Sequence, residues 1–226
     1  LPVEGLIRAT VFDHFCGGTT ERDCLPVVDK MYSKGVSSVL DYSVEGKEDE
    51  EHFDDAMNMT LEIIEFAKER KALPYAVFKP TGFGRFELYD KKGAGISFTE
   101  AEQKEWDRVV ERFDKVCKKA FENNIEVLVD AEESWMQDAA DDLVTLMMQR
   151  YNKEKALIFN TLQMYRHDRM EYLKKLHIQA KAEGFYIGQK LVRGAYMEKE
   201  NERAAQKGYP SPICSSKAAT DENYNA

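Results

Sequence analysis

The segment Gln189-Lys-Leu-Val-Arg-Gly-Ala-Tyr-Met-Glu198 reads as a buried strand that carries two cations and a Gly-Ala pair. Ordinary core strands do not hold such residues, because a buried ammonium is costly unless an anion or a polar ligand meets it. Lys190 and Arg193 stand an odd number of positions apart, so on a strand they point to opposite faces, and Lys190 shares its face with Val192, Gly194 and Tyr196. Gly194 and Ala195 leave room for something to lie against the backbone. The plain alternative is an edge strand whose Lys and Arg face water. The rest of the chain decides between the two.

Upstream, strand-like and helix-like stretches alternate. Ser37–Val44, Tyr75–Thr81, Glu126–Glu133 and Ala156–Gln163 read as strands. Between them the periodicity predicts a helix burying Phe53, Ala56, Met57, Leu61 and Ile64, and another opened by the capping box Thr99/Glu102 that buries Trp106, Val109, Val110, Phe113 and Cys117. A third helix turns Leu143, Leu146 and Met147 inward, and a fourth, started by Asp168 with Glu171, is lined by Met170, Leu173 and His177. Pro80 breaks the second strand, and a Gly-rich loop through Gly82, Gly84, Gly93 and Gly95 follows. A short helix ended by Gly208 follows the opening segment.

Strict alternation implies parallel strands with right-handed crossovers, and leaves an open doubly wound sheet and an eight-fold barrel in competition. The polar residues favour the barrel. Lys79, Asp130 with Glu132 and Glu133, Gln163, and Lys190 with Tyr196 all fall at or near the C-terminal ends of successive strands, where barrel enzymes place their chemistry. No strand runs directly into G-x-G-x-x-G and a helix, so the dinucleotide fingerprint of the open sheet is unsupported. The expected fold is therefore α/β, a distorted (βα)8 TIM-type barrel of which about the first five βα units are present. Residues 1–36 are expected to form an N-terminal loop and a lid helix burying Val27, Val28 and Met31, and residues 37–226 the partial barrel.

The chain has 226 residues, 43% of them apolar, which suits one globular domain with an ample core. No apolar run is long enough to cross a bilayer and the start lacks a basic region followed by an apolar stretch, so no export is expected. Cys16, Cys24, Cys117 and Cys214 form no C-x-x-C pair, which suits reduced thiols rather than a zinc site or a disulfide framework. His14 and Cys16 lack further ligands at usable spacing, and a packed loop is the better reading of that stretch. The net charge of −9 argues against nucleic acid as a partner.

On parity, Lys79 shares a face with Tyr75 and Val77, Asp130 with Leu128, and Gln163 with Phe159 and Thr161. If each lies on the inner face, two ammoniums, a carboxylate and an amide converge on one cavity. Such a set suits a substrate with its own carboxylate and amine beside a polar, redox-active ring. Lys79 can neutralise the carboxylate, Asp130 can orient a cation, and Lys190 can stabilise negative charge developing on a cofactor. A Lys–Asp pair that merely satisfies itself is the structural alternative. A Schiff-base lyase or aldolase with Lys79 or Lys190 as nucleophile is the enzymatic one, and it leaves Gln163 and Gly194-Ala195 without a task.

Asp130-Ala-Glu-Glu133, Thr161-Leu-Gln163 and Lys190-Leu-Val-Arg-Gly-Ala-Tyr196, in that order and spacing, resemble proline dehydrogenase, a flavin enzyme on a distorted barrel. Tyr209-Pro, Lys217, Thr220-Asp221 and Tyr224 continue the match over nearly all of the chain. The resemblance implies FAD-dependent oxidation of L-proline to 1-pyrroline-5-carboxylate, the first step of proline catabolism, with a quinone as electron acceptor. It implies that Lys79 meets the proline carboxylate, that Asp130 is a catalytic-site acid beside the flavin, and that Lys190 lies near flavin N5. It further implies that Ala131 and Gln163 contact the isoalloxazine, that Arg193, Gly194 and Ala195 bind FAD, and that Tyr196 packs near the substrate ring. The sequence departs from the family by lacking the Tyr-x-x-Arg-Arg motif and the last three strands. It ends on Asp221–Ala226 with no recognisable terminal helix, so it reads as cut at both ends and, alone, is expected not to turn over proline; a catalytically incomplete fragment acting as a binding module is the further alternative. A quinone acceptor implies peripheral contact with a membrane, either from a bacterial cytoplasm or from the mitochondrial matrix side.

Overall fold

The computed structural model describes residues 5, 10, 12, 16–41 and 48–226. Five strands, β1 (Val39–Leu40), β2 (Tyr75–Phe78), β3 (Glu126–Val129), β4 (Ile158–Gln163) and β5 (Gln189–Val192), all run parallel and neighbour one another in chain order. That order excludes the doubly wound sheet, which reverses direction at a switch point; here each strand is added on the same side of the last, the winding of a (βα)8 barrel. Among the described residues β1 and β5 each pair on one side only, so the strands form an open arc. Of the first expected strand, Val39–Leu40 pairs with β2, and residues 42–47 lie outside the described residues.

The convex side of the arc carries the core. Ala76 and Phe78 of β2, Val127 and Val129 of β3 and Ile158 of β4 belong to one buried cluster with residues of α2 (Glu50–Ala67), α4 (Glu100–Asn123) and α5 (Ser134–Tyr151). Phe78 stacks on Phe83 at 4.4 Å and meets Phe113 edge-on at 5.1 Å, so strand, loop and helix share one aromatic joint. Alternate residues such as Leu128 and Phe159 face the concave side and are only half-buried. This parity carries the polar strand ends inward.

The helices start where local chemistry dictates. Asp49 caps α2 through the backbone N–H of His52 at 3.0 Å, with Glu50 and Glu51 at the positive end of the helix dipole. The Thr99/Glu102 capping box forms in both directions, and α4 ends on Asn124 in the left-handed region at φ 56°.

Several expectations are corrected. The Gly-rich stretch after Pro80 is a single 3₁₀ turn at Pro80–Gly82 followed by α3 (Phe86–Gly93), an eight-residue helix whose Leu88 and Tyr89 are fully buried and whose Tyr89 hydroxyl donates to the Pro80 carbonyl at 2.6 Å. In α1 (Leu25–Tyr32) only Val28 turns inward, while Val27 and Met31 are 48% and 42% exposed. In α6 (Arg169–Glu183) the inner face is Arg169, Leu176 and Ala180; His177 is exposed. Asp168 caps α6 by position but spends its carboxylate on Arg166 and Arg169. The C-terminal residues form α8 (Lys217–Asn225), capped by Ser216 and tied down by Asn223, whose amide donates to the carbonyls of Met164 and Arg166. The helix ended by Gly208 is α7 (Met197–Lys207). The segment around His14 lies outside the described residues.

Candidate active site

The strands β2, β3 and β4 stop just short of, or at, their expected functional residues, whereas Lys190 lies within β5. Lys79 follows β2 directly and Asp130 follows β3, and the backbone N–H of Asp130 bonds the Phe78 carbonyl at 2.9 Å, which extends the β2–β3 register to these two positions. Lys190 pairs in register with Thr161 of β4, whose hydroxyl donates to the Val129 carbonyl at 2.8 Å. That bond fixes the last residue of β3, and across it the Lys190 ammonium forms an ion pair with the Asp130 carboxylate. Both side chains keep access to solvent, at 31% and 25% exposed. The paired ions are therefore neither stranded in the core nor free in water.

Asp41, at the end of β1, belongs to the same cluster. Its carboxyl is held above the ordinary aspartate range by loss of solvent and by the Asp130 charge, with Lys79 and Lys190 opposing. The side chain nonetheless opens to solvent along a cavity of about 540 Å³ between α1, β1 and α2. Lys79 is half-buried, and its charge also reaches Glu132.

The loop after β3 is fixed from several directions. Ala131 is 9% exposed. Glu132 is buried and accepts from the Thr81 backbone at 3.0 Å and the Thr81 hydroxyl at 2.7 Å; burial raises its carboxyl above the usual range, and Glu133 adds to this against the two Thr81 bonds and Lys79. Gln163 does not offer a free amide. Its nitrogen donates to the Glu132 carbonyl at 2.6 Å and the Tyr165 hydroxyl at 2.8 Å, and its oxygen accepts from Arg166 at 3.3 Å. Burial pushes the Tyr165 phenol up to about 12, so it is a neutral joint between Gln163 and the backbone N–H of Tyr196 at 3.4 Å.

The segment beyond β5 divides as parity predicts. Arg193 turns away from Lys190, pairs with Asp221 of α8 at 2.9 Å and covers the Tyr224 ring at 4.8 Å. Gly194 and Ala195 are exposed, and a Cβ on Gly194 would meet only the Met197 sulfur, at 3.7 Å. Tyr196 is half-buried beside a second cavity of about 540 Å³ lined by Ala195 to Lys199, and burial followed by the Glu132 and Glu133 charges raises its phenol.

A sequence model of the family described as proline dehydrogenase matches residues 24–226. The chain belongs to the proline dehydrogenase family. Proline dehydrogenase 1, mitochondrial, of Homo sapiens is 41% identical over 128 residues, 57% of this chain and 21% of that one. The carbapenem antibiotics biosynthesis protein CarD of Pectobacterium carotovorum subsp. carotovorum is 34% identical over 223 residues, 99% of this chain and 58% of that relative. The chain thus spans little more than half the length of the Pectobacterium relative and about a fifth of the human one. The crystal structure of proline utilization A from Bdellovibrio bacteriovorus inactivated by N-propargylglycine superposes with a TM-score of 0.81 over 98% of this chain and 24% of that one, at 21% identity, which shows a shared fold.

Against the family pattern, the structure brings Lys79, Asp130, Lys190 and Tyr196 to the C-terminal end of the arc, buries Gln163 in a satisfied network and sends Arg193 to the outer side. Sequence reading passed over Asp41, Tyr165 and Ser134. Asp41 and Tyr165 carried a signal: Asp41 is a carboxylate within the first strand-like stretch, and Tyr165 keeps the parity of Gln163.

Proposed function

We propose that this chain supplies the flavin- and proline-binding part of a proline dehydrogenase, which oxidises L-proline to 1-pyrroline-5-carboxylate with FAD as cofactor and a quinone as final electron acceptor. Residues 37–226 are its partial catalytic barrel, and residues 1–36 its N-terminal loop and lid helix. The observation that carries the reading is the half-open Lys190–Asp130 pair with Lys79 and Asp41 around it. A planar, polar ring fits these residues: the exposed Gly194–Ala195 backbone carries nothing larger than the Ala195 methyl to keep a ring away, and Lys190 offers a cation nearby.

When bound, the flavin would accept the hydride from proline C5. Lys190, the Gly194–Ala195 backbone, Ala131, Gln163 and Arg193 would hold it. Lys79 would bind the proline carboxylate as a charge-assisted contact. Asp130 would orient Lys190 through their ion pair, and Tyr196, whose phenol burial holds above its ordinary range, would pack as a neutral ring beside the substrate. A Schiff-base nucleophile needs a free amine, whereas the Lys190 nitrogen is engaged by the Asp130 carboxylate.

A quinone acceptor requires a visit to a membrane surface, and among the described residues no helix is long and apolar enough to cross one. A bacterial cytoplasm is one setting for this; the mitochondrial relatives from Homo sapiens and Drosophila melanogaster support the other. The test is the visible absorption of the full-length protein after FAD is added, before and after proline, because this chain alone is expected not to turn proline over. Retained flavin that bleaches anaerobically with proline is the expected result. A protein that takes up no FAD overturns the reading.

A further inference from the structure

Helix α7 has almost nothing apolar with which to hold itself in place. Its eleven residues are Met-Glu-Lys-Glu-Asn-Glu-Arg-Ala-Ala-Gln-Lys, and its buried residues are Ala204 and Glu200. Its attachment is polar, and it runs in order along three consecutive residues at the start of α5. Lys199 pairs with Glu133 at 2.8 Å. The Glu200 carboxylate accepts the backbone N–H of Ser134 at 2.6 Å and its hydroxyl at 2.7 Å. The Arg203 guanidinium lies 4.2 Å from the Trp135 ring centroid.

The middle contact is the unusual one. Ser134 is the first residue of α5, so its N–H is one of the donors that a helix leaves without an internal partner, and Glu133 at the cap position supplies no side-chain bond. Glu200 caps the helix from 66 positions away and is 1% exposed. A carboxylate also suits the positive end of a helix dipole. The same junction controls the site. The loop Asp130–Glu133 leads directly into Ser134, and Tyr196 is the residue from which α7 starts.

We propose that Glu200 is a positioning residue: by capping α5 it fixes α7 on the β3–α5 loop and so holds Tyr196 against the Asp130–Glu133 segment. The clamp is a statement about this chain alone; its consequence for substrate rests on the proline reading above.

Trp135 sits in the clamp, and Trp106, the other of the two tryptophans, packs on Tyr89 at 5.4 Å in α4. In a Trp106→Phe background, emission therefore reports the docking of α7. Glu200→Ala is expected to shift Trp135 emission to the red and raise its quenching by acrylamide severalfold, with far-ultraviolet circular dichroism nearly unchanged. Glu200→Gln, which can still accept from the Ser134 N–H, restores most of the parent emission. Unaltered emission in Glu200→Ala overturns the clamp. Should Glu200→Ala fail to fold, Ser134→Ala, which deletes one of the two bonds, must give an intermediate shift, and parent-like emission there overturns it equally.

The link to Tyr196 is read by a double-mutant cycle on proline binding to the FAD-loaded protein. Glu200→Ala and Tyr196→Ala each weaken binding severalfold, and the double variant is no weaker than the worse single one. Additive losses overturn the positioning role. If the parent binds no proline, the functional reading fails while Trp135 emission still decides the clamp.

Discussion

Lys190 and Asp130 form an ion pair across an intervening strand, β4, with Thr161 in register beside Lys190 and hydrogen-bonded to the strand that Asp130 ends. The pair needs the parallel arc, because it joins residues 60 positions apart. On the function proposed above, Lys190→Met would leave the proline site intact and remove the cation beside the flavin. Flavin reduction is expected to slow by roughly 10²-fold or more, as for the loss of one preorganised electrostatic donor. Proline affinity should change little, and stopped-flow absorbance at several proline concentrations separates the two.

Lys79 lies on the same inner face, and the function proposed above gives it the proline carboxylate. On that reading, replacing it by Ala removes a contact worth about 1.5–3 kcal/mol, so proline binding should weaken by roughly 10- to 100-fold. Titration of the flavin spectrum with proline measures this, and an unaltered affinity would rule out the contact.

The sequence revealed these positions because period-two alternation assigns a face to every strand residue, and the face of Lys79, Asp130 and Lys190 follows from it. What remained hidden depends on partners far away in the chain. The Thr81–Glu132 bond spans 51 positions and the Glu200–Ser134 cap 66, and no local pattern signals either. Helix α3 was obscured by bracketing glycines and by having only two fully buried side chains, and α8 by its polar composition, with Thr220 its single buried residue. For α6, Leu176 and His177 are neighbours, and a shift of one position along a helix moves the inner face by about 100°.

Asn152 is a stability element of the barrel that a sequence search for chemistry passes over. Its fully buried amide donates to the carbonyls of Ile158 and Tyr186 and accepts from the N–H groups of Leu157 and Ile158, all at 2.9–3.0 Å. Asn152→Ala strands four backbone groups, each costing on the order of 1–3 kcal/mol if left without a partner, so a loss of at least about 3 kcal/mol is expected. Urea denaturation with an unchanged m-value tests it, and a loss below about 1 kcal/mol would mean that water replaces the amide.

Asp168 gives the acid limb of stability a definite direction. Burial pushes its carboxyl up, but the Arg169 and Arg166 guanidiniums outweigh this and hold it at about 2, against 3.8 for an ordinary aspartate. A depressed folded value means that the contribution is complete above the unfolded value and is lost as pH falls from about 4 toward 2. Buried Asp141, raised above 3.8 mainly by burial, acts in the opposite sense. Asp168→Asn should therefore flatten the fall in urea midpoint over that window, and an identical slope in both proteins would contradict the pairing.

Gly188, which precedes β5, sets how closely that strand approaches β4. A Cβ at this position would lie 2.6 Å from the Ile158 carbonyl oxygen and 2.7 Å from the Phe159 ring, distances that real side chains do not occupy. The oxygen belongs to backbone, so it cannot rotate aside as a flexible side chain would. Gly188→Ala is expected to cost about 1–3 kcal/mol, the usual range for forcing an extra methyl into a packed site. Because the Asn160 N–H bonds the Gly188 carbonyl at 3.1 Å, the strain falls at the first rung of the ladder that aligns Thr161 with Lys190. The variant should therefore lose flavin affinity as well as stability, while Gly208→Ala, in open space at the end of α7 with φ +73°, should lose stability alone. Comparing FAD dissociation constants of the two variants at matched fractions folded separates them, and equal affinities would show that the β4–β5 approach does not govern the site.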